Sequence, residues 1–143
     1  MTEQDTGRLL RKAANQLINN FDQFAANYGL TSMQMSVIDY LSRRHDEVVI
    51  QRDLEQEFNV KRSTMTLLLQ RMDKKGLVVR KQALSDGRQK EVTLTNKSRE
   101  MERLIQDYMK QQDNQIRQIF GQAEIEQFQR ILNYYIEHTN EEN

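Results

Sequence analysis

The chain has 143 residues, and its 21 lysine and arginine residues balance 21 aspartate and glutamate residues, so the formal net charge is zero. This length is most simply one domain with a real core. The absence of cysteine excludes disulfides and thiolate metal sites. The polar N-terminus shows no signal peptide and no membrane span, so we expect a cytoplasmic protein.

The charges are distributed unevenly along the chain. Residues 60–99 contain eleven lysine or arginine residues and three acidic residues, which gives this segment a net charge of +8. Residues 1–59 carry a net charge of −3, and residues 100–143 carry −5. The ends would repel phosphate while the middle attracts it, a distribution typical of a nucleic-acid-binding surface.

The N-terminal part predicts two helices joined by a short turn. Apolar residues recur at helical spacing over 8–28, and Gly29 after them suits a left-handed helix stop. Thr31 or Ser32 would then cap a second helix that runs to Leu41. The apolar residues of this second helix lie on one side, so we expect that side to be buried.

The next elements have the order of a helix-turn-helix. A β-branched segment over 48–50, read as a small strand or an extended connection, precedes a helix over 51–58. Asn59 can adopt the left-handed geometry of a tight turn. A further helix over about 61–75 has a buried side marked by the i, i+3, i+4, i+7 spacing of Met65, Leu68, Leu69 and Met72.

A β-hairpin is predicted directly after these helices. Two β-prone runs, 77–80 and 90–94, flank a loop that contains Gly87. We call this hairpin the wing. It shares the basic segment with the preceding helix, so one rod-shaped and one finger-shaped element would carry most of the positive charge.

The C-terminal part predicts two more helices. One long helix, capped by Thr95 or Asn96, would run to about Phe120 and span roughly 35–40 Å. Gly121 would end it, and a last helix would cover about 122–138. The apolar stripes of the terminal helices need a cover, and the simplest cover is a second copy of the chain. A two-fold dimer would place two reading heads about 34–36 Å apart, one turn of DNA.

The predicted fold class is mainly α (α+β), a winged helix-turn-helix with long N- and C-terminal dimerisation helices. We expect a single domain over 1–143. Residues 30–99 would form the DNA-binding part, and residues 1–29 and 100–143 the helical dimerisation part.

A set of short motifs occurs in a fixed order within the basic segment and just before it: Leu30-Thr31-x-x-Gln34, Asp53-Leu54, Ser63-Thr64-Met65-Thr66, Lys75-Gly76-Leu77-Val78-x-Arg80, Ser85-Asp86-x-Arg88 and Val92-x-Leu94-Thr95. In this order, with flanking helices of the right length, they resemble the MarR family of winged-helix transcriptional regulators. Two positions depart from the family pattern, because Glu55 stands where a small alanine is usual and Ser98 where a glycine often follows Leu-Thr.

The side of the 61–75 helix opposite its apolar stripe is predicted to face the major groove and carries Ser63, Thr66, Leu67, Gln70 and Lys74. Gln70 suits an adenine edge, Leu67 a thymine methyl group, and Arg62 a guanine or a phosphate. Ser63 and Thr64 suit phosphate contacts at the helix N-terminus, or simple N-capping. The alternative interpretation is a solvated helix face with one exposed leucine.

The wing tip carries the strongest single candidate for a DNA contact. Arg88 can reach a minor groove and sense its width. The resemblance implies that Asp86 braces the wing through a basic partner; the alternative is a surface turn with a solvated arginine. The remaining cations are interpreted as phosphate neutralisers, some of them simply solvated: Arg71, Lys74, Arg80, Lys81, Lys90 and Lys97.

The resemblance also implies an effector region where the first, second and fifth helices converge. The candidate residues for a small aromatic effector are Phe24, Tyr28, Met33, Ile38, Met101 and Tyr108. An aromatic and methionine stripe at helical spacing is also typical of an ordinary core, and the sequence names no ligand.

Catalysis and metal binding have no sequence signature. Neither histidine has a second ligand at metal-binding spacing, and no nucleophile motif or phosphate-cradling glycine loop is present. We therefore expect no cofactor and no enzyme. The sequence predicts a homodimeric regulator of the MarR type that binds a pseudo-palindromic duplex site, a repressor released by a small-molecule effector. The alternative is a winged-helix protein-interaction module whose basic face docks an acidic partner.

Overall fold

The structure is a computed structural model that describes residues 5–83 and 87–138. These residues form seven helices and one two-stranded sheet: α1 Thr6–Ala26, α2 Ser32–Ser42, α3 Gln51–Phe58, α4 Arg62–Lys74, β1 Val78–Gln82, β2 Lys90–Leu94, α5 Asn96–Arg99, α6 Glu102–Ile119 and α7 Gln122–His138. The chain divides after Ile105 into two compact units. The first unit holds every element of the winged helix-turn-helix.

The turn between α1 and α2 is built as its sequence predicts. Gly29 has a positive φ of 70° and so provides the left-handed stop. Thr31 then caps α2 in a capping box, because its hydroxyl accepts from the Gln34 N–H at 3.2 Å and the Gln34 side chain accepts from the Thr31 N–H at 3.1 Å. The turn that separates α2 from α1 is therefore encoded by residues within it.

Helices α3 and α4 form the helix-turn-helix. Asn59 is left-handed, with φ 51° and ψ 50°, and the Val60 N–H closes the turn on the Glu55 carbonyl oxygen at 3.1 Å. On α4 the apolar stripe is buried as predicted at Met65, Leu69 and Met72, whereas Leu68 is only half-buried.

The core of the first unit joins residues from most of its elements. Its largest fully buried side chains are Met35, Val37, Ile38, Leu54, Met65, Leu69, Met72, Leu77, Val78, Val92, Ser98 and Ile105. Burial of each large apolar side chain contributes ~1.5–3 kcal/mol, so this cluster holds α4 and the wing in fixed positions.

The wing is an antiparallel hairpin whose register runs from Val78 opposite Leu94 to Gln82 opposite Lys90. Its strands begin and end within two residues of the predicted ones. The predicted strand over 48–50 is a single bridge, with the Val92 N–H donating to the Val49 carbonyl at 2.8 Å. Residues 84–86 lie outside the described residues, and the predicted role of Asp86 lies there with them.

The prediction of one uninterrupted helix from residue 96 to 120 is wrong. The structure has a four-residue helix, α5, then a turn at Glu100 and Met101, and only then α6. The Met101 N–H bonds to the Ser98 carbonyl three residues back, at 3.0 Å, which tightens the backbone at this point. The Ser98 hydroxyl donates to the Leu77 carbonyl oxygen at 2.7 Å. This hydrogen bond fixes α5 to the residue that precedes β1.

The second unit consists of the rest of α6 and α7. Gly121 lies between them, and its N–H donates to the Glu124 carboxylate at 3.1 Å at the start of α7. This unit leaves many large apolar side chains exposed: Ile116, Ile119, Phe120, Phe128, Ile131, Tyr134 and Ile136. Within the described ranges no helix has the length and apolarity that a membrane span requires.

Candidate nucleic-acid interface

The exposed side of α4 carries most of the residues predicted to meet DNA. Seven of these side chains are exposed to solvent: Arg62, Ser63, Thr64, Leu67, Gln70, Arg71 and Lys74. Leu67 is 48% exposed although polar positions surround it on this face. An apolar side chain at this place can contact a thymine methyl group, and the surrounding polar groups can contact base edges or phosphates.

Thr66 differs from its neighbours because it is half-buried and already hydrogen-bonded. Its hydroxyl oxygen accepts from the Gln51 side-chain amide of α3 at 2.8 Å. The same amide nitrogen donates to the Glu55 carboxylate at 3.2 Å and lies 3.5 Å from the Arg62 carbonyl oxygen. Gln51 is itself buried, so these contacts form a polar link between the two helices of the motif.

The wing and the helix-turn-helix enclose a polar cleft of about 210 Å³. Its lining residues come from α3, the start of α4 and the second half of the wing: Gln51, Arg52, Glu55, Arg62, Arg88, Gln89 and Lys90. Four of them are cations and one is an acid. Arg88 of the wing is thereby brought to the same site as Arg62 of α4. A cluster of this charge suits the oxygens of a phosphate group.

Arg80, on the basic surface, is paired with an acidic residue. Its guanidinium donates through Nε and Nη2 to the Asp73 carboxylate, both at 3.3 Å. The pair joins α4 to the first strand of the wing and cancels part of the charge of Arg80. Any contribution of Arg80 to phosphate binding would therefore be smaller than the sequence count implies.

Two lysines of the basic segment hold the fold together. The Lys75 ammonium donates to the Gly29 carbonyl at 3.0 Å and to the Gln34 side chain at 3.2 Å. The Lys97 ammonium donates to the Lys75 carbonyl at 2.8 Å, at the end of α4. Lys97 is predicted from the sequence to neutralise phosphate, but here it caps a helix C-terminus.

Sequence reasoning missed four residues of the site, which are Gln51, Arg52, Glu55 and Gln89. The first three belong to α3, outside the segment that the charge count singles out, and Gln89 is an uncharged residue of the wing. The i, i+4 spacing of Gln51 and Glu55 placed them on one helix face and was the available signal. The contact of that face with α4 is tertiary, so the sequence did not reveal it.

The effector candidates of the first unit occupy different environments. The rings of Phe24 and Tyr28 are tilted against each other at 5.4 Å between centroids, and both are half-buried. Met33 and Met101 are also half-buried, whereas Ile38 is fully buried in the core.

Tyr108 belongs to the second unit, where partial burial raises the pKa of its phenol above the ordinary value. Among the described residues, no group of three or more histidine and acidic side chains is arranged to hold a metal ion. His45 is paired instead with the Glu102 carboxylate, at 3.1 Å from its Nε2.

Comparison with known proteins yields a family match and similar solved structures. Residues 28–89 match the sequence profile of the MarR family. The crystal structure of the transcription regulator MarR from Oenococcus oeni PSU-1 is similar with a TM-score of 0.85 and 46% sequence identity, over 93% of this chain and 99% of that one. No curated protein sequence matches the chain.

Two more distant structures share the fold along nearly the whole chain. The Staphylococcus aureus MepR–DNA complex has a TM-score of 0.82 at 19% identity and covers 94% of this chain and 97% of that one. The MarR protein from Peptoclostridium difficile DA00132 has a TM-score of 0.79 at 20% identity, with 93% and 86% covered. The winged helix-turn-helix predicted from the sequence is therefore confirmed.

Proposed function

This chain belongs to the MarR family of transcriptional regulators, and from that premise we propose that it binds a specific double-stranded DNA site as a homodimer. One observation carries the proposal: the cleft that brings Arg88 of the wing and Arg62 of α4 to one cationic site beside the exposed face of α4. The helix would lie in a major groove and the wing beside it, with the phosphate backbone between them.

Base contacts and phosphate contacts are assigned to different residues. Gln70 and Leu67 would read base edges, with Arg62 at a base or a phosphate. Ser63, Thr64, Arg71, Lys74 and Lys90 would contact the backbone, and Arg88 would enter a minor groove. MepR, a relative of the same fold, has been solved in complex with DNA, which supports this arrangement by analogy.

Exposed apolar surface supports self-association. Helix α1 leaves Leu9, Leu17 and Ile18 exposed, and the second unit leaves seven further large apolar side chains exposed. Exposed large apolar side chains are costly in water when they are this numerous, so a second copy of the chain is the proposed cover. The two reading heads would then meet half-sites about one helical turn apart.

The regulatory outcome is proposed to be repression that a small aromatic effector relieves. The effector region of the first unit would include Phe24, Tyr28, Met33 and Met101, with Ile38 in the core behind them. The tilted ring pair of Phe24 and Tyr28 offers an aromatic surface of the kind that such a ligand contacts. As a regulator of genes, the protein would act in the cytoplasm.

Selection of bound sequences from random duplex DNA by the purified protein, at a stated salt concentration, tests the proposal. The expected result is a pseudo-palindrome whose half-sites are about one turn, roughly 10 base pairs, apart. If binding is weak and no sequence is enriched, the DNA-binding proposal is wrong, and the basic face instead fits an acidic protein partner.

A further inference from the structure

The polar link between α3 and α4 ends on a residue of the proposed reading face. Arg62, Thr66 and Gln70 are spaced four residues apart, so they form one row along α4. A threonine hydroxyl can donate or accept a hydrogen bond, and for this reason threonine alone does not distinguish base edges that accept from those that donate. What the hydroxyl does depends on the group behind it.

The group behind Thr66 is a donor. The Gln51 Nε2 lies 2.8 Å from the Thr66 Oγ1, and within the described residues the hydroxyl makes no other hydrogen bond. Because Oγ1 accepts from Gln51, its own proton remains for an acceptor on the opposite side. Thr66 would therefore act on DNA as a donor.

The Gln51 amide is held in this orientation by the acceptors that surround it. Its Nε2 is 3.2 Å from the Glu55 Oε2 and 3.5 Å from the Arg62 carbonyl oxygen, and both of these atoms can only accept. A flipped amide would place the Gln51 Oε1 against the Glu55 carboxylate. Gln51 is 8% exposed, so water cannot readily compensate for that repulsion.

We propose that Glu55 and Gln51 are specificity-determining residues that fix the hydrogen-bond polarity of Thr66, so that its hydroxyl selects base edges presenting acceptors in the major groove. This inference rests on the proposed function. Guanine and thymine present O6 or O4 as acceptors at the position where cytosine presents an amino group.

The test exchanges the two side chains in a Gln51→Glu/Glu55→Gln double variant, which conserves net charge and size. The amide introduced at position 55 then donates to the carboxylate introduced at position 51. That carboxylate accepts the Thr66 proton and so turns the hydroxyl into an acceptor towards DNA. The readout is the sequence selected from random duplex DNA, followed by affinities for single-base variants of the selected site at fixed salt.

Thr66→Val locates the base position that Thr66 reads. In this variant one position in each half-site should lose about fivefold or more of its preference for guanine or thymine over cytosine. The exchange variant should shift the same position towards cytosine or adenine. In the Thr66→Val background the exchange should have no further effect there.

Glu55→Ala provides a second variant, should the exchanged pair not fold. It removes the carboxylate that orients the Gln51 amide. The base preference at the position that Thr66 reads should therefore weaken about as much as in Thr66→Val. The inference is overturned if a folded exchange variant or Glu55→Ala selects the same base as the wild type with full strength. A wild-type protein that selects no sequence would instead overturn the proposed function itself, and the two failures are thus distinguishable.

Discussion

The ammonium of Lys75, at the end of α4, donates a hydrogen bond to the carbonyl oxygen of Gly29, in the turn between α1 and α2, at 3.0 Å. The same ammonium contacts the Gln34 side chain, which belongs to the capping box of α2. The proposed reading helix is therefore fixed at its C-terminal end to the corner that orients the first two helices. Lys75 lies within the most basic segment, but its contacts stabilise the fold.

Replacement of Lys75 by methionine should lower stability, because it removes both contacts while keeping a long apolar stem. Lys75 is exposed, so we expect a loss of about 1 kcal/mol and a fall in melting temperature of about 3–5 °C. Thermal unfolding followed by circular dichroism measures the change. The matched control is Lys12→Met on the exposed side of α1, and equal melting temperatures for the two variants would contradict this role of Lys75.

The wing arginine is predicted to matter for DNA and not for assembly. Arg88→Ala should weaken binding to the selected site at least about tenfold. The change removes one cation of the cleft, and with it the proposed contact with the minor groove. Titration at fixed salt measures the affinity, and sedimentation measures the oligomeric state, which should not change. Arg11→Ala on α1 controls for the loss of an arginine elsewhere. Unchanged affinity would remove the wing from the mechanism.

The exposed face of α4 is predicted to carry base preference. Gln70→Ala and Leu67→Ala should each relax selection at one base position by about 1–3 kcal/mol while preserving general affinity for duplex DNA. Both side chains are exposed, so neither change should disturb the core. If both variants select the same site as the wild type, this face of α4 does not read the bases.

Local signals predicted most of the fold because each acts within a few residues. Gly29 and Asn59 are left-handed as expected, and the Thr31 capping box begins α2. The periodicity of α4 predicted its buried side at Met65, Leu69 and Met72. These features depend on backbone sterics and on helical spacing, which a sequence displays directly.

The remaining features of the fold and the site could not be predicted, because they depend on contacts between residues that are distant in the sequence. The hydrogen bond from Ser98 to Leu77 spans 21 residues, and the break after α5 accompanies it. Thr66 is half-buried because Gln51 of another helix contacts it. Periodicity cannot show such pairings, so the sequence overestimated both the length of one helix and the number of uncommitted cations on the basic surface.

Ser98→Ala should destabilise the protein, because the hydroxyl is fully buried and donates to the Leu77 carbonyl at 2.7 Å. Its loss leaves that carbonyl without this donor and costs about 1–3 kcal/mol. Chemical denaturation measures the free energy of unfolding, and the selected DNA sequence should not change. Ser63→Ala, at an exposed position, is the control for stability. Equal stability of the two variants would contradict a structural role of the Ser98 hydroxyl.

The ion pair between Asp73 and Arg80 gives a prediction in the opposite direction, an increase in affinity. Asp73→Asn keeps the shape of the side chain but removes its charge, and Arg80 then no longer faces a carboxylate. Because the basic surface gains one net positive charge, affinity for duplex DNA should rise at low salt. The slope of log affinity against log salt should steepen by up to about 0.9, the value for one added phosphate contact.

Titration of the Asp73→Asn variant at several salt concentrations measures this slope. Glu137→Gln makes the same change of charge on α7 and controls for the overall charge of the protein. The pair is partly exposed, so its loss should cost less than about 1 kcal/mol of stability, and a change in affinity would not reflect unfolding. If Asp73→Asn has the same slope as Glu137→Gln, Arg80 does not reach the phosphate backbone. It would then serve only to join α4 to the wing.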